Sequence, residues 1–180
     1  MRRYLGIMLV LSILLAGFLR FYKLSDIPVG FHGDEASIGY NAYSLLKTGR
    51  DQNGVLLPLS IDQWGDYRPA GYHYIAIPFV FLFGLNEFAT RLPGALFGVL
   101  SIIPLFAIAS LLFGPSVGIL SAFLLAINPW HINLSRATSE SVIALFFVLC
   151  GLYFFFRFLR KEQMRMYLVY SFVFFTLSFF

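Results

Sequence analysis

Charge is what this sequence has least of. Only 12% of its 180 residues are Asp, Glu, Lys or Arg, whereas 59% are apolar and 22 are Phe. A water-soluble domain of this size has too little interior to hide that surface, so most of it must face lipid. Cysteine is almost absent. Cys150 stands alone inside an apolar run, which excludes a disulfide framework and a Cys-based metal site and leaves it the role of a small hydrophobe. There is no Gly-rich nucleotide loop, no H-E-x-x-H, no G-x-S-x-G, no internal repeat and no low-complexity tract. The net charge of +4 suits an anionic lipid surface, and no nucleic-acid partner is expected.

The apolar runs set the expected crossings. Segment 4–22 follows Arg2 and Arg3 and lacks a convincing small-residue cleavage site, so it reads as a retained signal anchor. Segments 93–113 and 117–134 are split by a Gly114-Pro115 turn, and 141–159 follows. A further run, 167–180, is shorter than the ~20 residues a crossing takes, so the complete protein is expected to continue past Phe180. The short run 72–84 carries Pro78 in its middle and falls below the roughly 17 residues at the lower limit for a span. Positive charge decides its place. Arg2 and Arg3, and the cluster Arg157, Arg160, Lys161 and Arg165, both belong in the cytoplasm. Two cytoplasmic points require an even number of crossings, and laying 72–84 at the interface gives four.

The expectation is therefore an all-α, polytopic membrane helix bundle with a large external first loop, 23–92, that carries interfacial helices at about 35–48 and 70–84. A second external loop occupies 135–140. Seven of the nine carboxylates (Asp26, Asp34, Glu35, Asp51, Asp62, Asp66 and Glu87) fall in the first loop, and Glu140 closes the second. Eight of nine then face one side of the membrane. An integral plasma- or inner-membrane protein with its working face outside the cytoplasm is expected.

Within "GFHGDEASIGYNAYSLLKTG", Ile38, Ala42, Leu45 and Leu46 recur at helical spacing and Gly49 is placed to stop the helix. Asp34 then falls at the N-cap and Glu35 in the first turn, where acids suit the helix dipole. The same position keeps a carboxylate ionised, able to accept a hydroxyl proton or to bind a cation. In "DQWGDYRPAGYHY", Arg68 offers a planar fork for phosphate, or it simply snorkels to headgroups. Trp64 and Tyr67 read first as aromatic-belt residues and second as sugar platforms. In "NPWHINLSRATSE", Arg136 can partner Glu140 or a phosphate, and Glu140 either opens the next helix or serves a site. His131 beside Trp130 reads as a belt residue.

Taken in order, "GDEASIGYNAYSLLKTG", "YRPAGYHY", "LNEFATRLPGALFG" and "INPWHINLSRATSE" resemble the GT-C glycosyltransferases that use polyprenyl-phosphate sugars. The nearest branch is the protein mannosyltransferase and aminoarabinose transferase group. The resemblance implies that Asp34, with Glu35 beside it, acts on the acceptor, that Arg68 contacts the carrier phosphate, and that Glu140 is the second-loop acid, where relatives often carry Asp; Tyr67 and Arg136 stand beside these as further substrate-binding candidates. It implies an inverting transfer from a polyprenyl-phosphate sugar to a hydroxyl of a protein, lipid or glycan acceptor. No cofactor is certain. A divalent cation assists some relatives, and Asp34 and Glu140 are its candidate ligands here. The competing readings are a flippase of lipid-linked sugars, which favours charges inside the spans, and a non-catalytic membrane subunit.

Overall fold

The computed structural model describes the backbone of residues 2–162 and 165–179, with side chains for 4–160 and 165–179. The side chains of Arg2, Arg3 and Lys161, on which part of the charge argument rests, lie outside the described residues, as does Phe180. The chain is mostly helical. Helix α1 (Arg2–Phe21) leads into the first loop, which holds α2 (Gly33–Thr48), strands β1 (Ser60–Gln63) and β2 (Asp66–Pro69), and α3 (Gly71–Phe83). Then come α4 (Glu87–Leu100), α5 (Ile102–Phe113), α6 (Pro115–Ile127), α7 (Pro129–Arg136) and α8 (Glu140–Arg157), a π-helical turn (Phe158–Glu162) and α9 (Arg165–Leu177).

Among the described residues three helices are long and apolar enough to cross a membrane: Tyr4–Phe21, Glu87–Phe113 and Glu140–Arg160. A fourth crossing exists if α6 and α7, bent by 55°, count as one. The straight helix expected over 117–134 is thus broken, and chemistry explains the break. Pro129 has no N–H to give the Leu125 carbonyl, so the ladder fails there and Pro129 starts a new helix behind Asn128. The Asn128 side chain caps that helix by accepting from the His131 amide at 3.0 Å. Residues 93–113 likewise begin earlier than expected, at Glu87, with Pro93 inside α4.

Glycines set how closely these helices approach. A Cβ on Gly94 would come within 2.9 Å of the Ser135 carbonyl, and one on Gly98 would collide with the Ser135 side chain, so α7 lies directly on α4. At Gly118 an added Cβ would meet the Phe106 carbonyl at 2.9 Å, which closes the α5–α6 hairpin behind Gly114, at φ 98. Helix α3 buries Tyr72, His73, Ala76 and Val80 and leaves Phe81, Leu82 and Phe83 exposed, an apolar face suited to lipid. Its inner face shares a core with Ile38 and Ala42 of α2, Ala89 of α4 and Ile143 of α8. The hairpin β1–β2 was not expected. It pairs Ile61 with Arg68 and turns through Trp64 and Gly65, both at positive φ (55° and 87°).

Candidate active site

Three buried arginines tie the end of α1 and the loop behind it to α4, α6 and α7. Arg136 of α7 donates to the carbonyls of Leu19, Arg20, Tyr22, Lys23 and Ile27 at 2.7–3.2 Å. Those of Leu19 and Arg20 belong to the last turn of α1, which has no backbone donors of its own to offer. Arg20 points the other way. Its Nη2 donates to the Leu125 carbonyl and its Nη1 to that of Ala126, so it satisfies the acceptors stranded at the α6–α7 break. Its Nη2 also lies 2.7 Å from His131 Nδ1, which must be the acceptor because an arginine only donates. Arg91 of α4 is fully buried and reaches the carbonyls of Leu24, Ser25, Pro28 and Gly30.

Arg91 also holds Glu35. Its Nε donates to Oε1 at 3.1 Å and its Nη2 to Oε2 at 2.9 Å, and the carboxylate is 4% exposed. Glu35 Oε2 accepts a further bond from the His32 amide at 3.2 Å. Glu35 is therefore the returning arm of a capping box held by Arg91, and it also borders the cavity that Asp34 faces. The cap itself is also reassigned. His32, in extended backbone, accepts from the Asp34 amide through Nδ1, and Asp34 stands in the first turn with no capping duty.

Released from the cap, Asp34 turns to the hairpin. Its Oδ2 lies 3.1 Å from Arg68 Nη1, and Arg68 Nε donates to Asp66 at 3.2 Å. Asp34 and Arg68 are about one-third exposed (34% and 30%), open enough to meet a ligand. Both line a cavity of about 670 Å³ whose walls are the loop after α1, the start of α2, β2 and the turn between α7 and α8. Glu140, the first residue of α8, lines it from the opposite wall; its Oε1 is buried and finds no partner among the described residues. The hydrogen bond to Asp66 raises the Arg68 guanidinium above its ordinary pKa, against the cost of burial and with help from Asp34 and Glu140, so it is a permanent cation.

Two further residues expected at the site lie elsewhere. Arg136 does not line this cavity; its fork holds five backbone carbonyls at and beyond the end of α1. Tyr67 is 71% exposed on the other face of the strand from Arg68, beside Leu59 and Phe179. Arg20 and Arg91 were the residues the sequence did not mark as structural keys. An arginine within an apolar helix is the signal that could have found them, since such a charge must be paired or solvated by carbonyls.

As to a metal, no group of three His, Cys, Asp or Glu side chains among the described residues stands close enough to hold one, and Asp34 already has Arg68 as its counter-charge.

The sequence pattern described as "Dolichyl-phosphate-mannose-protein mannosyltransferase" matches residues 67–180, more than half of the chain. The chain is similar to "Putative mannosyltransferase YkcB" of Bacillus subtilis (strain 168), 24% identical over 166 residues, covering 91% of this chain and 22% of that protein. Its fold is similar to that of the archaeal oligosaccharyltransferase AglB from Archaeoglobus fulgidus, solved in complex with an inhibitory peptide and a dolichol-phosphate. There the TM-score is 0.71 at 16% identity, over 98% of this chain and 24% of AglB. The chain thus spans less than a quarter of the length of either protein.

Proposed function

Because the chain belongs to the dolichyl-phosphate-mannose-protein mannosyltransferase family, we propose that it is the N-terminal, site-bearing part of a GT-C membrane glycosyltransferase that moves a sugar from a polyprenyl phosphate to an acceptor hydroxyl. The observation that carries this reading is the cavity in which Asp34 and Arg68 are ion-paired and face Glu140. A polyprenyl-phosphate sugar already contains its leaving group. The reaction then needs a base for the acceptor hydroxyl and a cation for the charge that develops on the departing phosphate.

In this reading Arg68 binds the carrier phosphate, its planar fork matching two oxygens. Asp34 takes the proton as the acceptor oxygen attacks the anomeric carbon from the face opposite the phosphate. The C–O bond to phosphate breaks as the new one forms, so configuration inverts. Glu140, with an unused buried oxygen, accepts a hydrogen bond from a sugar or acceptor hydroxyl. In this reading the loop after α1, the start of α2, β2 and the turn between α7 and α8 form a site that faces outside the cytoplasm. The acceptor is a hydroxyl of protein, lipid or glycan.

Asp34→Asn in the full-length protein tests the reading. Transfer is expected to fall by about 10²–10⁴-fold, the usual contribution of a positioned base, while insertion and folding persist. Unchanged transfer would overturn the assignment. A flippase is less well supported, because Arg20 and Arg91, the charges held within the helices, are bound to fixed carbonyls and line no path.

A further inference from the structure

Trp64 occupies a position that no folding requirement explains. It is the first residue of the two-residue β1–β2 turn, a place that normally goes to Asn, Asp or Gly because φ must be positive. A bulky side chain in that backbone region is an outlier, and such strain gathers where a surface must be presented. The indole is also 76% exposed, so burial does not repay it. The tip it stands on is charged. Asp62 and Asp66 flank the tip, with Asp62 accepting from the Gly65 amide at 2.7 Å, and two carboxylates hold such a turn in water.

What the indole does touch is the start of α2. A Cβ on Gly33 would lie 3.3 Å from Trp64 Cη2, so the outer edge of the ring rests where glycine leaves room. Gly33 is one residue from Asp34, and Arg68 stands on the strand that Trp64 turns into. His32 is there too, 78% exposed; its Nδ1 is engaged as an acceptor, which leaves Nε2 as a donor nitrogen. Beside the cavity that His32, Asp34 and Arg68 line, the Trp64 ring against Gly33 adds an open aromatic face close to the imidazole and the Asp34–Arg68 pair.

We propose that Trp64 is a sugar-binding platform at the mouth of the cavity, stacking on the apolar face of a pyranose whose hydroxyls turn toward His32 and Asp34. This subsite rests on the transferase reading above and deepens it. The ring belongs either to the sugar on the carrier lipid or to a glycan acceptor. Aromatic rings present a large rigid face with a directional quadrupole, and a stacked contact raises affinity by roughly tenfold.

The test uses the full-length protein carrying 5-fluorotryptophan, with the Trp64 resonance assigned by Trp64→Phe and turnover suppressed by Asp34→Asn. Polyprenyl-phosphate mannose, sugar-free polyprenyl phosphate and a soluble methyl mannoside are added separately. A Trp64 shift with the sugar-bearing lipid and not with the bare one assigns the platform to the donor; a shift with the glycoside assigns it to an acceptor. Equal responses to both lipids with none to the glycoside overturn the proposal. In the active protein, Trp64→Gly relaxes the turn, so it is expected to keep or raise thermal stability while raising the KM of the stacked substrate roughly tenfold. Trp64→Phe is expected to restore most of it. An unchanged KM in Trp64→Gly, or a joint loss of stability and activity, also overturns the platform. Should Asp34→Asn still transfer sugar, the base assignment fails, while the fluorine shifts report on Trp64 by themselves.

Discussion

A carboxylate at the start of a helix can cap it or meet a substrate, and His32 decides the matter for Asp34. With the imidazole on the Asp34 amide and Glu35 returning to the His32 amide, the capping needs of α2 are met by its neighbours. His32→Ala should therefore cost about 1 kcal/mol of stability, a typical cap, and lower activity further if Asp34 drifts toward the vacated cap. Glu35→Gln is expected to cost more, about 3–5 kcal/mol, because it leaves the Arg91 guanidinium buried without its counter-charge. Thermal inactivation of the purified protein measures both. At this scale the sequence located Asp34, Arg68 and Glu140 by residue type and by nearness to apolar runs. It could not say which of two adjacent acids would face the cavity, because that depends on Arg91, more than fifty positions away in the chain. Arg136 shows the same limit: a second-loop arginine looks like a phosphate ligand, and only the structure puts its fork on the carbonyls at the end of α1.

Among the elements, the helices were legible because their apolar runs are long, and α3 as a shorter apolar run of its own. Two features were not. Strands of four residues give too few alternations to register, and a Trp-Gly turn lacks the usual Asn or Asp. The α6–α7 bend escaped because an Asn-Pro pair marks a helix end as readily as a corner between two helices. The bend depends on close packing, so Gly98→Leu should push α7 off α4. It is expected to destabilise the protein by about 1–3 kcal/mol, as overpacking does. Helix α3 supplies a pH dependence. Burial lowers His73 to about 4 from its ordinary 6.5, so the folded protein keeps it neutral where the unfolded chain takes up a proton. The unfolded state then binds more protons below pH 6.5, and stability is present above that value and falls as the pH drops toward 4. The loss is on the order of 3 kcal/mol. A His73→Asn variant should show a flatter stability profile between pH 6.5 and 4 than the wild type, read as melting temperature in detergent.

Over the whole molecule, the GT-C arrangement brings the start of α2, α7, the start of α8 and three of the nine acidic residues (Asp34, Glu35 and Glu140) to one cavity. Cysteines introduced at Asn53 and Asn133 of the full-length protein should both react with a membrane-impermeant reagent added from outside. Labelling of one alone would place the two loops on opposite sides and separate Asp34 from Glu140. The arginine clamps carry a consequence of their own. Among the described residues, the guanidinium hydrogen bonds of Arg20 and Arg136 go to carbonyls, a hydroxyl and a neutral imidazole, so neither cation is cancelled by a carboxylate. Each is a whole charge held by dipoles alone in surroundings that screen it poorly, so neutralising either side chain leaves the carbonyls it binds without that donor.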